Sequence, residues 1–237
     1  MRAVVMIAPR IGIAGISGRM GQLLAAAIPA AGATLVGGTR RNDDLAALAR
    51  GCDVVIDFTI AAAIAPHAAI LAQTGTAWVL GTTGQTEADH AAISAAATKI
   101  PVFTAANFAP GVNLILALAQ ILAAQLPAAT HDAEVLEMHH RQKRDAPSGT
   151  AIALTRAIQR GRDSDAVIPT ASLRGGQIIG SHTALFTAGF EQITLTHHAL
   201  DRRIFADGAV RAALWLIQQP PGLYGMNNLL ALDDMIR

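Results

Sequence analysis

A single cysteine, Cys52, stands in 237 residues, so no disulfide can form within the chain, and a reducing cytoplasm is the compartment this fits. No histidine or cation adjoins Cys52 to lower its pKa, and it reads as a small structural residue rather than a nucleophile. Net charge is scarce too. Eighteen basic against 17 acidic side chains leave +1 at pH 7, which gives no support to a nucleic-acid or other polyanion partner. Long apolar runs are also missing. Residues 1–8 are apolar after Arg2 but too short for a signal-peptide core plus cleavage region. Residues 112–124 are interrupted by Asn113 and Gln120 and fall short of a membrane span. No repeat at solenoid spacing occurs. A soluble cytoplasmic protein with no membrane partner is expected. What the chain does have is apolar material, 52% of its residues, enough for one large or two small domains. The heavy use of alanine reads as compositional bias.

Residues 10–106 alternate short β-type runs (11–14, 34–38, 54–58, 78–80, 102–105) with helical ones (from the glycine turn on, then 43–50, 61–73, 87–98). Strands separated by helices of this length imply a parallel sheet with right-handed crossovers, an α/β, doubly wound Rossmann-type nucleotide domain. Its ligand belongs at the carboxyl ends of the strands. The turn Gly15-Ile16-Ser17-Gly18-Arg19-Met20-Gly21 is spaced GxxGxxG, which alone is a weak signal. Its place between a strand and a helix strengthens it, because glycine lets the backbone approach a pyrophosphate at a helix N-terminus. Two more strand ends are placed for cofactor, Gly81-Thr82-Thr83 and Ala105-Ala106-Asn107-Phe108, although ordinary turns read the same way. Asp57-Phe58-Thr59 reads as a cap for the following helix. After the second strand comes Thr39-Arg40-Arg41, with no acid until Asp43. An acid there favours an unphosphorylated ribose, whereas two arginines, with Arg19 as a third, attract a 2′-phosphate. A solvated arginine pair is the alternative.

The character changes at Ala109-Pro110-Gly111, which reads as a hinge. An apolar helix over 112–126 follows, and then the stretch EVLEMHHRQKRDAPSGTA (134–151). It opens as a strand, presents His139 and His140, and adds Arg141, Lys143 and Arg144 within four residues. Pro147 and Ser148 suit a first helical turn. A helix N-terminus facing a lysine can hold a carboxylate, and a histidine beside it can move a proton near neutral pH. Separately, paired histidines and basic clusters are usually structural or solvated; together on a strand–loop–helix they point to chemistry. Six of the eight histidines fall between His131 and His198, which raises a metal site. Against it, strand neighbours point to opposite faces, no cysteine accompanies them, and no HExxH spacing occurs; no metal is expected. Runs at 172–174, 177–179, 183–187 and 192–197 lack intervening helices and imply an α+β domain with a mixed or antiparallel sheet. Few helices remain to cover it, so association between subunits through that sheet would complete it. Residues 209–217 are helical.

EMHHRQKRDAPSGTA closely resembles the signature of the dihydrodipicolinate reductase family of the diaminopimelate route to lysine. The resemblance continues in LRGGQIIGSHTALF (173–186) and RIFADGAVRAALWL (203–216), and GxxGRMG and Asp57-Phe58-Thr59 share it. It implies a dinucleotide-binding domain at 1–110 completed by 207–237, and a substrate-binding and oligomerisation domain at 111–206 that forms a homotetramer. It implies a small cyclic dicarboxylate substrate reduced by nicotinamide hydride. His139 would supply the proton, and Lys143 would bind a carboxylate and assist the transfer. His140, Ser148, Gly149 and Thr150 would complete the carboxylate site, while Arg174 and His182 line the cleft or brace the sheet. The 81–83 and 105–108 segments would border the nicotinamide. Family members commonly carry an acid-arginine pair where this chain has Arg40, so NADPH is the expected preference with NADH as a second cofactor. Another dehydrogenase of a small amino-dicarboxylate, or a nucleotide-sensing protein without turnover, stays open.

Overall fold

The computed structural model describes residues 8–236. Apart from Ala8, the apolar start at 1–8 lies outside them. The chain divides into two compact units, one of residues up to Phe108 with Arg203–Leu229, the other of Ala109–Arg202 with the residues from Leu230 on.

In the first unit β1 (Arg10–Ala14), β2 (Thr34–Thr39), β3 (Val54–Asp57), β4 (Ala77–Leu80) and β5 (Pro101–Thr104) alternate with α1 (Arg19–Ala30), α2 (Leu45–Ala49), α3 (Ile64–Thr74) and α4 (Glu87–Ala97). Neighbouring strands are all parallel. β3 and β4 are buried at every position, Asp57 at the end of β3 included, as strands covered by helices on both faces are. α1 buries Gly21, Leu24 and Ile28, a stripe at i, i+3, i+7. α4 starts at a reciprocal capping box between Thr86 and Asp89. Trp78, Leu71, Ile93 and Val102 share a core beneath α3 and α4.

The second unit begins with α5 (Pro110–Gln125). Pro110 sits at its start, where a missing N–H costs nothing. The segment read as a hinge is therefore the first turn of a helix, and the unit boundary falls just before it. β6 (Asp132–His139), α6 (Gly149–Gly161), β7 (Thr170–Arg174), β8 (Gly180–Thr187) and β9 (Gln192–Ala199) follow. The sheet order is β7-β6-β8-β9, parallel between β6 and β7 and antiparallel elsewhere, the mixed sheet expected. The strand expected at 177–179 is instead part of a turn: Gly176, at φ 49°, reverses the chain, and pairing resumes at Gly180. α5 and α6 cover one face, with Val135, Leu154, Ile158 and Phe186 between. The residues alternating with these on β6, Leu136 and Met138, are half-buried, and Leu173 on β7 is exposed.

α7 (Arg203–Leu216) belongs to the first unit and packs on α1, β3, β4 and β5. β10 (Gly222–Tyr224) then pairs with β5, so the first sheet runs β10-β5-β4-β3-β1-β2. α8 (Met226–Leu230) precedes α9 (Asp233–Ile236), which packs on α5. The assignment of everything after 207 to the first unit is thereby corrected: 203–206 join that unit, and the tail from Leu230 joins the second. Among the described residues no helix is long and apolar enough to cross a membrane.

Candidate active site

Alternation along β6 decides which side chains meet. Glu137 and His139, two residues apart, share the face covered by α6, while His140 lies past the strand end. In register, Glu137 stands beside Ser172 and His182, and His139 beside Arg174. Glu137 is wholly buried, and its Oε2 pairs with Nδ1 of His139. Its Oε1 accepts from Arg174 Nη2 at 2.6 Å and from the Ser148 amide at 3.3 Å. Arg174 also donates to the Asp145 carbonyl at 2.6 Å. Burial pushes the Glu137 carboxyl up, but hydrogen bonds from Arg174, Ser172 and His139 outweigh it and hold it down at about 2. Burial shifts His139 downward, and Glu137 only partly offsets this. Both shifts favour a carboxylate beside a neutral imidazole.

Beyond β6, a loop with a cis bond before Pro147 leads into α6. Ser148 is the cap of that helix: its Oγ accepts from the Ala151 amide at 3.2 Å and lies 3.2 Å from His182 Nε2. The hydroxyl expected at the carboxylate site is thus turned inward. Gly149 and Thr150 form the first turn, at the positive end of the helix dipole, and space beyond Gly149 is open. Lys143 Nζ is 2.8 Å from Asp145 Oδ2, so an incoming carboxylate shares or replaces that partner. The His182 ring stands nearly perpendicular to His139 with centroids 5.0 Å apart, and burial, with His139 adding to it, pushes its pKa down to about 4. His140 Nδ1, Arg174 Nε and His182 Nδ1 are buried without a hydrogen-bond partner among the described residues.

Glu137, His139 and His182 place ligand-type atoms within 4.8 Å of one another. This donor set does not fit a resident cation, because both Glu137 oxygens already accept hydrogen bonds and one comes from a fixed guanidinium. Glu137 is the site residue that sequence reasoning missed. Its signal was the two-residue spacing to His139 on one strand face.

In the first unit the residues read as cofactor contacts follow β1, β2, β4 and β5 at the carboxyl edge of the parallel sheet. Gly15, at φ 88°, and Ile16 donate their amides to the Thr39 carbonyl at 2.9 and 3.1 Å, which ties the glycine turn to β2. A Cβ at Gly21 would lie 2.3 Å from the Gly15 carbonyl oxygen, so helix and turn are in backbone contact. α1 starts at Gly18 with no side-chain cap and no acid in its first turn, while Ser17, Gly18 and Arg19 are exposed and Met20 half-buried. Such an uncapped helix end fits a pyrophosphate. Arg40 and Arg41 are exposed, and Asp43 turns back to accept the Arg40 amide at 2.8 Å, so the loop's first acid is engaged with backbone. Thr82 is buried and accepts from the Thr59 amide at 2.9 Å, Gly81 packs under the Phe58 ring, and Thr83 is exposed. Ala105 and Asn107 are half-buried and Ala106 exposed. The Phe108 ring is packed against Phe58 and Phe103, so it braces its loop from the core. Asp57 does not cap a helix. It binds the amide and hydroxyl of Thr59 and, at 2.7 Å, Nδ1 of His67 on α3. Cys52 is buried, donates to the Leu48 carbonyl at 3.2 Å, and is pushed up by burial to about 11, the opposite of an activated thiol.

A family model described as dihydrodipicolinate reductase, N-terminus, matches residues 9–108, and its C-terminus counterpart matches 111–230. The 4-hydroxy-tetrahydrodipicolinate reductase of Acidiphilium cryptum is 64% identical over 241 residues, covering 94% of this chain and 98% of its own. That of Gluconacetobacter diazotrophicus is 53% identical over 250 residues at the same coverage. Among solved structures, a dipicolinate-bound dihydrodipicolinate reductase from Paenisporosarcina sp. TG-14 superposes with a TM-score of 0.80 at 27% identity, covering 93% of this chain and 99% of that one. With the nucleotide-type sheet and the histidine site, these matches define a nicotinamide-nucleotide-dependent oxidoreductase. The chain belongs to the dihydrodipicolinate reductase family, whose reaction is the reduction step of lysine (diaminopimelate) biosynthesis.

Proposed function

We propose that this chain reduces 4-hydroxy-tetrahydrodipicolinate, or the dihydrodipicolinate formed from it, to tetrahydrodipicolinate. NADPH is the preferred donor and NADH the second, in a cytoplasmic homotetramer. The observation that carries the reading is the succession of a carboxylate-bound histidine at the end of β6, an ammonium in the loop after it, and the start of α6. When bound, the nicotinamide supplies a hydride to a ring carbon of the substrate. The ring system then carries excess negative charge and needs a proton, which His139 delivers. Lys143 holds one carboxylate and stabilises the developing charge. The first-turn amides at Gly149 and Thr150 hold the other, with His140 alongside, and Ser148 fixes the helix end they sit on. His139 must gain a proton before giving one; a dianionic substrate favours that protonation by its charge.

On the cofactor side, the 15–20 turn takes the pyrophosphate. Gly81, Thr82, Thr83, Ala105, Ala106, Asn107 and the Phe108 backbone border the nicotinamide half. Arg40 and Arg41, helped by Arg19, receive a 2′-phosphate. The sheet face away from α5 and α6, with its exposed Leu173, supports tetramer assembly through the second unit.

The test is a coupled assay in which the aldol-condensation product of aspartate semialdehyde and pyruvate is supplied and nicotinamide absorbance is followed. Rapid NADPH oxidation is expected. Faster turnover on another amino-dicarboxylate in a substrate panel would overturn the substrate assignment.

A further inference from the structure

We propose that Glu137 is a positioning residue that keeps a hydrogen on Nδ1 of His139, so that Nε2 is the atom that exchanges the proton, and that Gly180 keeps the space at Nε2 clear. This rests on the reading of His139 as the proton donor.

Both oxygens of the buried Glu137 are committed. Arg174 and the Ser148 amide fix Oε1, which leaves Oε2 turned toward Nδ1 of His139 as an acceptor only. Nδ1 therefore donates whether the ring is neutral or cationic. In the donating step the Nε2–H bond breaks, its proton bonds to the substrate, and the electron pair stays on Nε2. The ring returns to the neutral form that Glu137 already holds, and a proton taken up from solvent, consumed once per turnover, restores the imidazolium at Nε2. A flip of the ring would put a carbon in place of Nδ1 and break the Glu137 bond, so the paired carboxylate selects one ring orientation.

Gly180 has no positive φ, so its backbone does not call for glycine; a side chain there would instead crowd the two rings. A Cβ there would sit 3.1 Å from His139 Nε2 and 3.4 Å from His182 Cε1. The charged and titratable groups facing His139 are Glu137 on its own strand, Arg174 on β7, His182 on β8 and Lys143 in the loop. Of these, only Glu137 favours the imidazolium.

The experiment combines kcat against pH for the wild type, Glu137→Gln and Gly180→Ala with ¹⁵N shifts of His139 in the folded proteins. Glu137→Gln should lower kcat about 10-fold or more with KM little changed, as loss of a tautomer-fixing carboxylate does. It should also move the alkaline limb of kcat to lower pH, and His139 should lose its uniform Nδ1–H form. A merely structural role would move neither the limb nor the tautomer. Gly180→Ala should lower kcat with KM little changed. Should Glu137→Gln fail to fold, the wild-type tautomer and Gly180→Ala carry the test. A resting Nε2–H form in the wild type, an unshifted limb in Glu137→Gln, or wild-type kcat in Gly180→Ala each overturns the proposal. Wild-type kcat in His139→Gln would instead remove the proton-donor reading, and the wild-type ¹⁵N shifts would still report what Glu137 holds.

Discussion

Glu137 and His182 carry opposite charges when ionised, yet both make the fold sensitive to acid. Glu137 is held at about 2, below its ordinary 4.5, so its contribution is complete above the ordinary value and is lost as pH falls toward 2. His182 is pushed down to about 4, so the unfolded chain takes up this proton first. Its contribution is complete above an ordinary 6.5 and is lost as pH falls through 4. Each is worth on the order of 3 kcal/mol. Tm should hold steady above pH ~6.5 and fall on acidification through the His182 range and then the Glu137 range; a flat Tm from neutral pH down to about 4 contradicts this. Lys143→Met should both raise KM and lower kcat in steady-state assays, about 10-fold or more in kcat/KM, because it removes a carboxylate contact and a charge at once. The positions of His139, Lys143 and the helix start were legible from their spacing and from the resemblance. Glu137 was not, because a carboxylate on a strand looks like a surface residue until the sheet register puts Arg174 and Ser148 against it.

The glycine turn and the β2 loop can be tested separately. Gly21→Ala places a methyl group 2.3 Å from the Gly15 carbonyl oxygen, so the glycine turn or the helix must shift. It should weaken dinucleotide binding, read by fluorescence titration, and lower Tm by several degrees, as about 1–3 kcal/mol of overpacking does. Arg40→Glu with Arg41→Ala should shrink or reverse an NADPH preference of about tenfold or more in kcat/KM at low salt, since charge-assisted contacts are worth about 1.5–3 kcal/mol each. Equal use of both cofactors by the wild type would remove the arginine reading and leave the hydride-transfer assignment intact. The parallel βα alternation was legible because short β-type runs alternate regularly with helical ones along residues 10–106. The segment 177–179 was misread because Gln177-Ile178-Ile179 has strand composition but follows a glycine turn. β10 was missed because three residues after Pro220-Pro221 are too few to show a period; its pairing with β5 is what makes it a strand.

For the whole molecule, the expected assembly is a homotetramer through the second unit, because among the described residues α5 and α6 cover only one face of its sheet. Light scattering or sedimentation at micromolar concentration should give four copies, and Leu173→Lys should dissociate them by placing charge on the apolar face. A fully active monomer contradicts the assembly. The division into two units was legible from the shift in pattern near 109. Where the tail goes was not, because the packing of α9 on α5 is a long-range contact without a local signature.

The central claim, that His139 gives the proton that completes hydride transfer, is tested most directly by steady-state kinetics of His139→Gln on the tetrahydrodipicolinate precursor. The expected result is a fall in kcat of about 10²–10⁴-fold with KM changed far less, since proton donation acts mainly in the transition state. A kcat within about threefold of wild type, well short of what a general acid contributes, would contradict the account.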